Sequence, residues 1–353
     1  MDPKKEKMLQ AARATLQKRF GAESVNYLGN KQIEPIPRIP SQSIAIDEVT
    51  GGGYPEGRII EIFGGESSGK TTACYHAIAS MQKKYPDQFC GFVDNENSFD
   101  PVYAAALGVK VDELMTAQPG DGADAFGMVQ GMIEAGAKMV VVDSVAAMLP
   151  REEAEEDDYG KNTIGRQAFL MSKGLRKLTP VVGKYRAVVI FTNQTREKMG
   201  VMYGNPETTP GGKALPYYAS IRLRLSKAST IKQGEEEIGV VSRVSCVKNK
   251  TAPPFRRSEI SIIFGKGIDD ETALFRAIID KGLVEKKGAG WYYIGDAKLQ
   301  GDAKLREYLE AHPDIYEGLK AKARSGGGDS PAPAPTAQDV ADAAANEVEV
   351  GEV

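Results

Sequence analysis

The stretch RIIEIFGGESSGKTT, Arg58–Thr72, decides the fold. Its apolar run, Ile59–Phe63, is typical of a buried strand, and the next eight residues, Gly64–Thr71, match the P-loop pattern G-x-x-x-x-G-K-[ST] in full. In such a loop, glycines let backbone amides surround phosphates, the lysine supplies a positive charge, and the last hydroxyl coordinates Mg²⁺. The alternative is a glycine-rich turn formed by chance, which the strand–loop–helix context disfavours. We therefore predict a nucleotide site formed by Gly64, Gly65, Glu66, Ser67, Ser68, Gly69, Lys70, Thr71 and Thr72.

A carboxylate suited to a metal site ends another apolar run, MVVVD. This places Asp143 at the carboxyl end of a predicted strand, which is where α/β sheets bind ligands. We expect Thr71 and Asp143 to form the Mg²⁺ site. The alternative for Asp143 is a helix N-cap.

The residue that activates the attacking water is left open by the residues alone. FVDNENSFDP, Phe92–Pro101, puts Asp94 and Glu96 just past a predicted strand, and either carboxylate could orient or deprotonate water in line with the γ-phosphate. Gln194 ends a further predicted strand. Its amide could sense the γ-phosphate and order the loop that follows, or it could simply cap the strand.

The runs around the P-loop indicate the fold class. FCGFVD, MVVVDS and AVVIFTN alternate with helical stretches, which is typical of an α/β fold with a parallel sheet flanked by helices. Beyond Gly212 several strand-like runs follow one another, and we expect them to extend the sheet with antiparallel strands. Ile268 to about Arg324 predicts a small α/β lobe with the only tryptophan, and the apolar spacing of Lys4–Phe20 predicts a helix.

Composition excludes several classes of protein. The apolar fraction is 41% and the charged fraction 26%, with no apolar stretch near the roughly 18 residues of a membrane span. Three cysteines that lie far apart, without a CxxC, indicate a reducing cytosol and disfavour a zinc site. We expect a cytoplasmic chain with no membrane association. Only two histidines disfavour imidazole catalysis, and His76 is expected to be packed. The last 28 residues hold six of the 48 acids and no base, which leaves 42 acids against 45 bases in the body.

Five motifs together carry a family resemblance. They are GGESSGKTT, NENSFDPVYAAALGV, VVVDSVAAMLP, FTNQTREKMGVMYGNPETTPGG and VKNKTAPPF. In this order and spacing, over about Lys5 to Arg324, the chain resembles the RecA family of DNA recombinases. The resemblance implies a P-loop NTPase core of the RecA type, with ATP and Mg²⁺ as cofactors and helical filaments as the assembly.

The resemblance also implies roles for individual residues. It selects Glu96 as the carboxylate that activates water and makes Gln194 the switch between nucleotide and DNA. It places Asp100 and Tyr103 at the adenine, with Tyr103 stacking on it. It implies that Lys248 and Lys250 reach a neighbouring subunit's phosphates, whereas the sequence alone would make them solvated surface charges. VNYLG, from Val25, is a simple turn-forming strand or, by resemblance, the piece added to a neighbouring subunit.

Two loops are implied to line a filament axis and bind DNA. In the second, four apolar residues (Met199, Val201, Met202 and Tyr203) need no core because they wedge between bases, while basic side chains hold phosphates. The DNA-binding residues so implied are Ile164, Gly165, Arg166, Ser172, Arg176, Arg196, Lys198, Met199, Gly200, Met202, Tyr203, Gly211, Gly212 and Lys213.

The sequence departs from the family at three places, which favours a divergent member, a viral one included. Six acids between Glu152 and Asp158 disfavour DNA at the start of the first loop. Phe169 stands where we expect the family to have a basic residue, and Arg166 could supply that positive charge instead. Ser245 stands where a lysine would support the second strand, which leaves Arg243 and Lys227 for that role.

We therefore expect a DNA-dependent ATPase that forms filaments on single-stranded DNA and exchanges strands with double-stranded DNA. A ring helicase is disfavoured because VNYLG and the second loop are both present. A DNA-coating scaffold that recruits partners without strand exchange is the alternative. The expected parts are an oligomerisation segment (1–33), an ATPase core (34–266) with DNA loops near 151–167 and 195–212, a small C-terminal domain (267–325) and a disordered acidic tail (326–353).

Overall fold

The computed structural model of the chain describes residues 2–21, 25, 35–154, 165–197, 207–288 and 290–325. Residues 155–164 of the first predicted DNA loop, residues 198–206 of the second, residues 26–29 of VNYLG and the acidic tail lie outside the described part. The chain divides into two units, Met1–Pro37 and Arg38–Val353.

Helices form at the predicted places. The helix after the P-loop begins at Lys70, and the next begins at Pro101, where Asp100 caps the first amides. In chain order the helices are α1 Pro3–Phe20, α2 Ile44–Thr50, α3 Lys70–Lys84, α4 Pro101–Ala106, α5 Gly122–Glu134, α6 Arg151–Ala154, α7 Arg166–Tyr185, α8 Ala214–Tyr218, α9 Asp270–Asp280, α10 Gly301–Ala311 and α11 Pro313–Ser325.

The strands include all those that the apolar runs predict, together with others that the sequence analysis did not predict. They are β1 Arg38–Ile39, β2 Tyr54–Pro55, β3 Arg58–Gly64, β4 Cys90–Asp94, β5 Leu114–Ala117, β6 Met139–Asp143, β7 Val188–Gln194, β8 Arg196–Glu197, β9 Glu207–Thr208, β10 Ile221–Gln233, β11 Glu236–Asn249, β12 Arg257–Ile263, β13 Gly267–Ile268, β14 Glu285–Lys287, β15 Trp291–Ile294 and β16 Ala297–Gln300.

The main sheet has nine strands within the described residues, in the order β13-β12-β11-β10-β3-β7-β6-β4-β5. β10 pairs with β3 in parallel, so the expectation of only antiparallel strands beyond Gly212 is wrong at its first strand. The connection from β7 through α8 returns the chain to the same end of the sheet, and a crossover of this kind gives parallel neighbours. The antiparallel pairs begin one strand later, at β10–β11, and continue to β13.

Two apolar layers cover the two faces of the sheet. Ile60 and Ile62 pack in the cluster that contains α3, whereas Ile59 packs with α5 and α7. This alternation along one strand follows from the two-residue period of β structure. Helices on both faces confirm the α/β fold class. Because β3, β4, β6 and β7 are parallel, their carboxyl ends lie at the same edge of the sheet.

The last part of the chain has its own apolar cluster. Helices α9–α11 and the β14–β16 sheet pack around residues such as Phe275, Tyr292 and Leu305, joined by Ile44 from α2. Asp270 accepts from the Ile44 amide at 2.6 Å and pairs with Arg324. A small α/β lobe at this place was predicted, and the structure confirms it.

Helix α1 matches the predicted bounds. Asp2 caps it by accepting from the Lys4 amide at 3.0 Å, and it ends at Gly21, whose φ of 103° is one that glycine adopts readily. None of its residues is buried, and Met8 and Phe20 are more than half exposed.

His76 is packed, as expected. Its ring lies on α3 and is 7% exposed, with Nδ1 bonded to Gln42 Oε1 at 3.2 Å. Nε2 accepts from the Ile268 amide at 3.0 Å, and burial lowers the pKa of His76 to about 4. The neutral ring thus joins α3 to β13.

Candidate nucleotide site and flanking loops

The P-loop joins β3 to α3 with the geometry that its sequence predicts. Gly69 has φ of 92°, and a Cβ there would lie 2.1 Å from the Ile262 side chain, so only glycine fits. Lys70 Nζ donates to the carbonyls of Gly64 at 3.1 Å and Gly65 at 2.7 Å. Its ammonium therefore lies over the loop, and burial lowers the pKa of Lys70 while Asp143 and Glu96 oppose this shift.

Asp143 is held by hydroxyls on both of its oxygens. Oδ2 accepts from Thr71 Oγ1 at 2.9 Å, and Oδ1 accepts from Thr192 Oγ1 at 2.5 Å. The carboxyl is 3% exposed, and burial raises its pKa although both hydroxyls and Lys70 act against this. A hydroxyl beside a carboxylate suits Mg²⁺, which keeps few protein ligands and takes the rest from water and phosphates. Thr192 was missed in the sequence because it reads as one more strand residue.

The structure separates the two carboxylates that the residues alone left open. Asp94 is 3% exposed and accepts from the amides of Ser98 at 3.1 Å and Phe99 at 3.0 Å, so it closes its own loop. Glu96 accepts instead from Gln194 Nε2 at 3.2 Å and from the Ser144 hydroxyl. Only Glu96 of the pair contacts the residue that leads into the second loop.

The residues implied for the adenine lie beside the P-loop helix. The Tyr103 hydroxyl is 3.1 Å from Thr72 Oγ1, and its ring meets Tyr75 edge-on with centroids 5.9 Å apart. The Asp100 carboxylate accepts from the amides of Val102 at 2.9 Å and Tyr103 at 3.0 Å. Asp100 thus serves as the N-cap of α4 and fixes the position of Tyr103.

A buried ion pair that the sequence analysis missed lies beneath the site. Glu61 is fully buried in β3 and accepts from Arg222 Nε at 2.5 Å and Asn193 Nδ2 at 3.2 Å. Asn193 also donates to the Pro210 carbonyl at 3.1 Å, near the end of the second loop. The signal was present, since an acid inside the apolar run IIEIF requires a partner.

Lys248 and Lys250 lie away from the P-loop of their own chain. They are at the end of β11, which runs antiparallel to β10 and so ends near the start of β3. Lys248 Nζ donates to the carbonyls of Pro216 at 2.5 Å and Tyr217 at 3.0 Å, and Lys250 Nζ donates to Tyr217 at 3.3 Å. Burial, followed by the charges of Lys250 and Arg222, lowers the pKa of Lys248 to about 8.

The first loop is described only at its two ends. Arg151 pairs with Asp121 at 2.6 Å and Asp124 at 2.8 Å. Gly165, with φ of 97°, precedes the first residue of α7, Arg166, and Ile164 lies outside the described residues. Further along α7, Ser172 is half-buried and Arg176 exposed.

The second loop begins and ends in a short strand pair that the sequence did not predict. Arg196 pairs with Thr208, and the residues that follow β8, among them Lys198, Met199, Gly200, Met202 and Tyr203, lie outside the described part. Gly211 is buried, and a Cβ there would lie 3.0 Å from Val145. Gly212, with φ of 71°, precedes the exposed Lys213. The packing of the protein at Gly211 and the backbone conformation of Gly212 therefore account for glycine at these two positions.

Comparison with known proteins agrees with this geometry. The model of the RecA N-terminal domain matches residues 7–269, and that of the RecA C-terminal domain matches residues 274–326. The chain belongs to the RecA family. Protein RecA of Lactobacillus johnsonii is 46% identical over 323 residues, which cover 91% of this chain and 89% of that protein. Protein RecA of Acholeplasma laidlawii is 45% identical over 327 residues, covering 92% and 98%. Protein RecA of Staphylococcus carnosus is 43% identical over 326 residues, covering 92% and 91%.

Membership in the RecA family gives this chain its general function, which is recombination and DNA repair by a nucleotide-binding protein that acts on DNA. In the described ranges, no helix is long and apolar enough to cross a bilayer. The three cysteines are buried free thiols.

Proposed function

We propose that this RecA-family chain hydrolyses ATP with Mg²⁺ in response to DNA, forms helical filaments on single-stranded DNA, and exchanges strands with double-stranded DNA. The observation that carries the proposal is the contact between Glu96 and Gln194. It joins the carboxylate proposed to activate water to the residue from which the second loop departs.

The residues of this chain divide the chemistry among them. The P-loop amides and Lys70 bind the phosphates, and Thr71 with Asp143 holds Mg²⁺, which when bound offsets phosphate charge. Glu96 accepts the proton of the attacking water. The Ser144 hydroxyl donates to the Glu96 carboxylate and orients it. Tyr103, held by the Asp100 cap, stacks on the adenine.

DNA binding affects ATP hydrolysis through the second loop. Gln194 is at the end of β7, and the Thr195 amide donates to the Gly64 carbonyl at 3.3 Å, so the base of the loop touches the P-loop. A γ-phosphate that draws the amide of Gln194 releases Glu96 and moves the start of the loop. DNA binding by the loop favours the same displacement of Gln194 from Glu96, because coupling between two sites is reciprocal.

The position of Lys248 and Lys250 supports a site shared between subunits. In one chain they bond the last carbonyls of α8, at the far end of β3 from the P-loop. Across a filament interface they reach the phosphates of the neighbouring subunit, with VNYLG as the linking segment. DNA-stimulated hydrolysis then depends on assembly.

Strand exchange tests the proposal against the scaffold alternative. The wild-type chain, with ATP, Mg²⁺ and a single strand, should displace the matching strand from a labelled duplex, and electron microscopy should show helical filaments. A matched Lys70→Ala variant should do neither. Filaments that coat DNA and hydrolyse ATP without exchanging strands would establish the scaffold instead.

A further inference from the structure

The solvent face of α7 carries a phenyl ring between cations. Phe169 is 70% exposed, which makes it the most exposed phenyl ring among the described residues. Arg166, Lys173 and Arg176 are also exposed, and their spacing of three, four and three residues puts all four side chains on one face. We call these four residues the α7 stripe.

The charge of this helix is unbalanced. α7 has no acid in its 20 residues, and its bases are Arg166, Lys173, Arg176, Lys177 and Lys184. Among the described residues, none of the ion pairs involves Lys173 or Arg176. Like charges one turn apart destabilise a helix, so the arrangement costs stability and calls for a polyanion as its partner.

The stripe begins at the nucleotide edge of the sheet. Gln167 Nε2 donates to the carbonyls of Val145 at 2.9 Å and Met148 at 3.1 Å, in the segment that follows Asp143. A Cβ on Gly212 would lie 2.8 Å from the Ala168 Cβ, so the end of the second loop packs on the same turn. The described end of the second loop and the first turn of α7 therefore lie side by side.

We propose that Phe169 stacks on a base of single-stranded DNA while Arg166, Lys173 and Arg176 bind the flanking phosphates. The proposal rests on the proposed function, from which it takes DNA as the ligand. An exposed ring between cations has the pattern of base and phosphates in turn, and stacking accepts every base. A phenyl ring releases no counterion from the DNA. Binding should therefore depend less on salt than it would with a basic side chain at position 169.

The test compares thymine oligonucleotides with abasic ones of equal length, bound with a non-hydrolysable ATP analogue over a salt series. Phe169→Ala should weaken binding to thymine about tenfold per stacked base and leave abasic binding unchanged. Phe169→Arg should bind both strands, with a salt slope steeper by about one for each subunit. Phe264→Ala is the matched control, because that ring is 55% exposed and lies at the end of β12, away from α7. It should behave as wild type.

Three results with Phe169→Ala would overturn the inference. Equal loss on thymine and abasic strands in Phe169→Ala would make the ring a support for the fold. Altered self-association of that variant without DNA would assign the ring to a protein interface. If Phe169→Ala still preferred thymine strands over abasic ones and showed normal DNA-stimulated hydrolysis, the proposed stacking contact would be excluded and the proposed function would stand. A wild-type chain that bound neither strand would overturn the proposed function as well.

Discussion

The side-chain amide of Gln194 donates to the carboxylate of Glu96 at 3.2 Å, from the end of β7 to the loop after β4. These residues are 98 positions apart and meet because β7 and β4 flank β6 in one parallel sheet. The same edge holds the P-loop and the start of the second loop. We therefore expect a substitution at either residue to affect both the nucleotide site and the second loop.

The two carboxylates beyond β4 should separate chemistry from stability. Glu96→Gln should bind nucleotide and DNA but lose turnover, since only the proton acceptor is removed. Asp94→Asn should keep turnover per folded molecule and lose about 1–2 kcal/mol of stability, because two backbone amides lose a charged acceptor. Hydrolysis rates and denaturant unfolding measure both. Near-normal turnover in Glu96→Gln would transfer the catalytic role to Asp94.

Lys248 predicts a dependence on pH. Its pKa is lowered to about 8, so between pH 8 and its unfolded value near 10.5 the folded chain loses the proton first. Stability from this group therefore rises with pH over that range, while the charge needed at a neighbour's phosphate is lost. Half-maximal DNA-stimulated hydrolysis should require up to about tenfold more protein per pH unit above 8.

Lys248→Arg should move this alkaline loss to higher pH, because guanidinium stays charged. DNA-independent hydrolysis over the same range is the control for Lys70 and the rest of the site. An alkaline loss that is the same in wild type and Lys248→Arg would mean that another group titrates.

Mixing of subunits tests the shared site. Chains with both Lys248→Ala and Lys250→Ala should bind nucleotide but lack DNA-stimulated hydrolysis. Mixed with Glu96→Gln chains they should regain part of it, because some interfaces combine an intact carboxylate with intact lysines. Full activity of the double lysine variant alone would exclude a role across the interface.

The acidic segment 326–353 should weaken duplex binding. Its six acids compete with phosphates for basic surface such as Lys286, and for Lys287 and Arg243, whose exposed pairs with Glu285 and Glu259 are weak. Truncation after Arg324 should tighten duplex binding more at low salt than at high salt, because salt screens the competition. Binding to single strands should change less. Equal duplex affinities at every salt concentration would leave the segment without this role.

Local patterns predicted much of the fold and little of the long-range pairing. The P-loop, the strand ends at Asp143 and Gln194, and the bounds of α1 follow from neighbouring residues, which period and capping rules govern. The parallel pairing of β10 with β3 depends on a crossover path, and the buried ion pair of Glu61 with Arg222 joins residues 161 positions apart. Such contacts form only when the sheet assembles. The different contacts of Asp94 and Glu96 also depend on the folded loop after β4, which buries Asp94 and leaves Glu96 exposed.

The most direct test of the account is DNA stimulation of ATP hydrolysis in Gln194→Ala. The variant should bind nucleotide and retain the slow DNA-free rate, because the P-loop and Glu96 are intact, but single-stranded DNA should no longer raise the rate. Thr195→Ala is the matched control, since this residue's amide and not its side chain bonds Gly64, and it should respond as wild type does. Stimulation of Gln194→Ala by single-stranded DNA to the wild-type rate would contradict the coupling between Glu96 and the second loop.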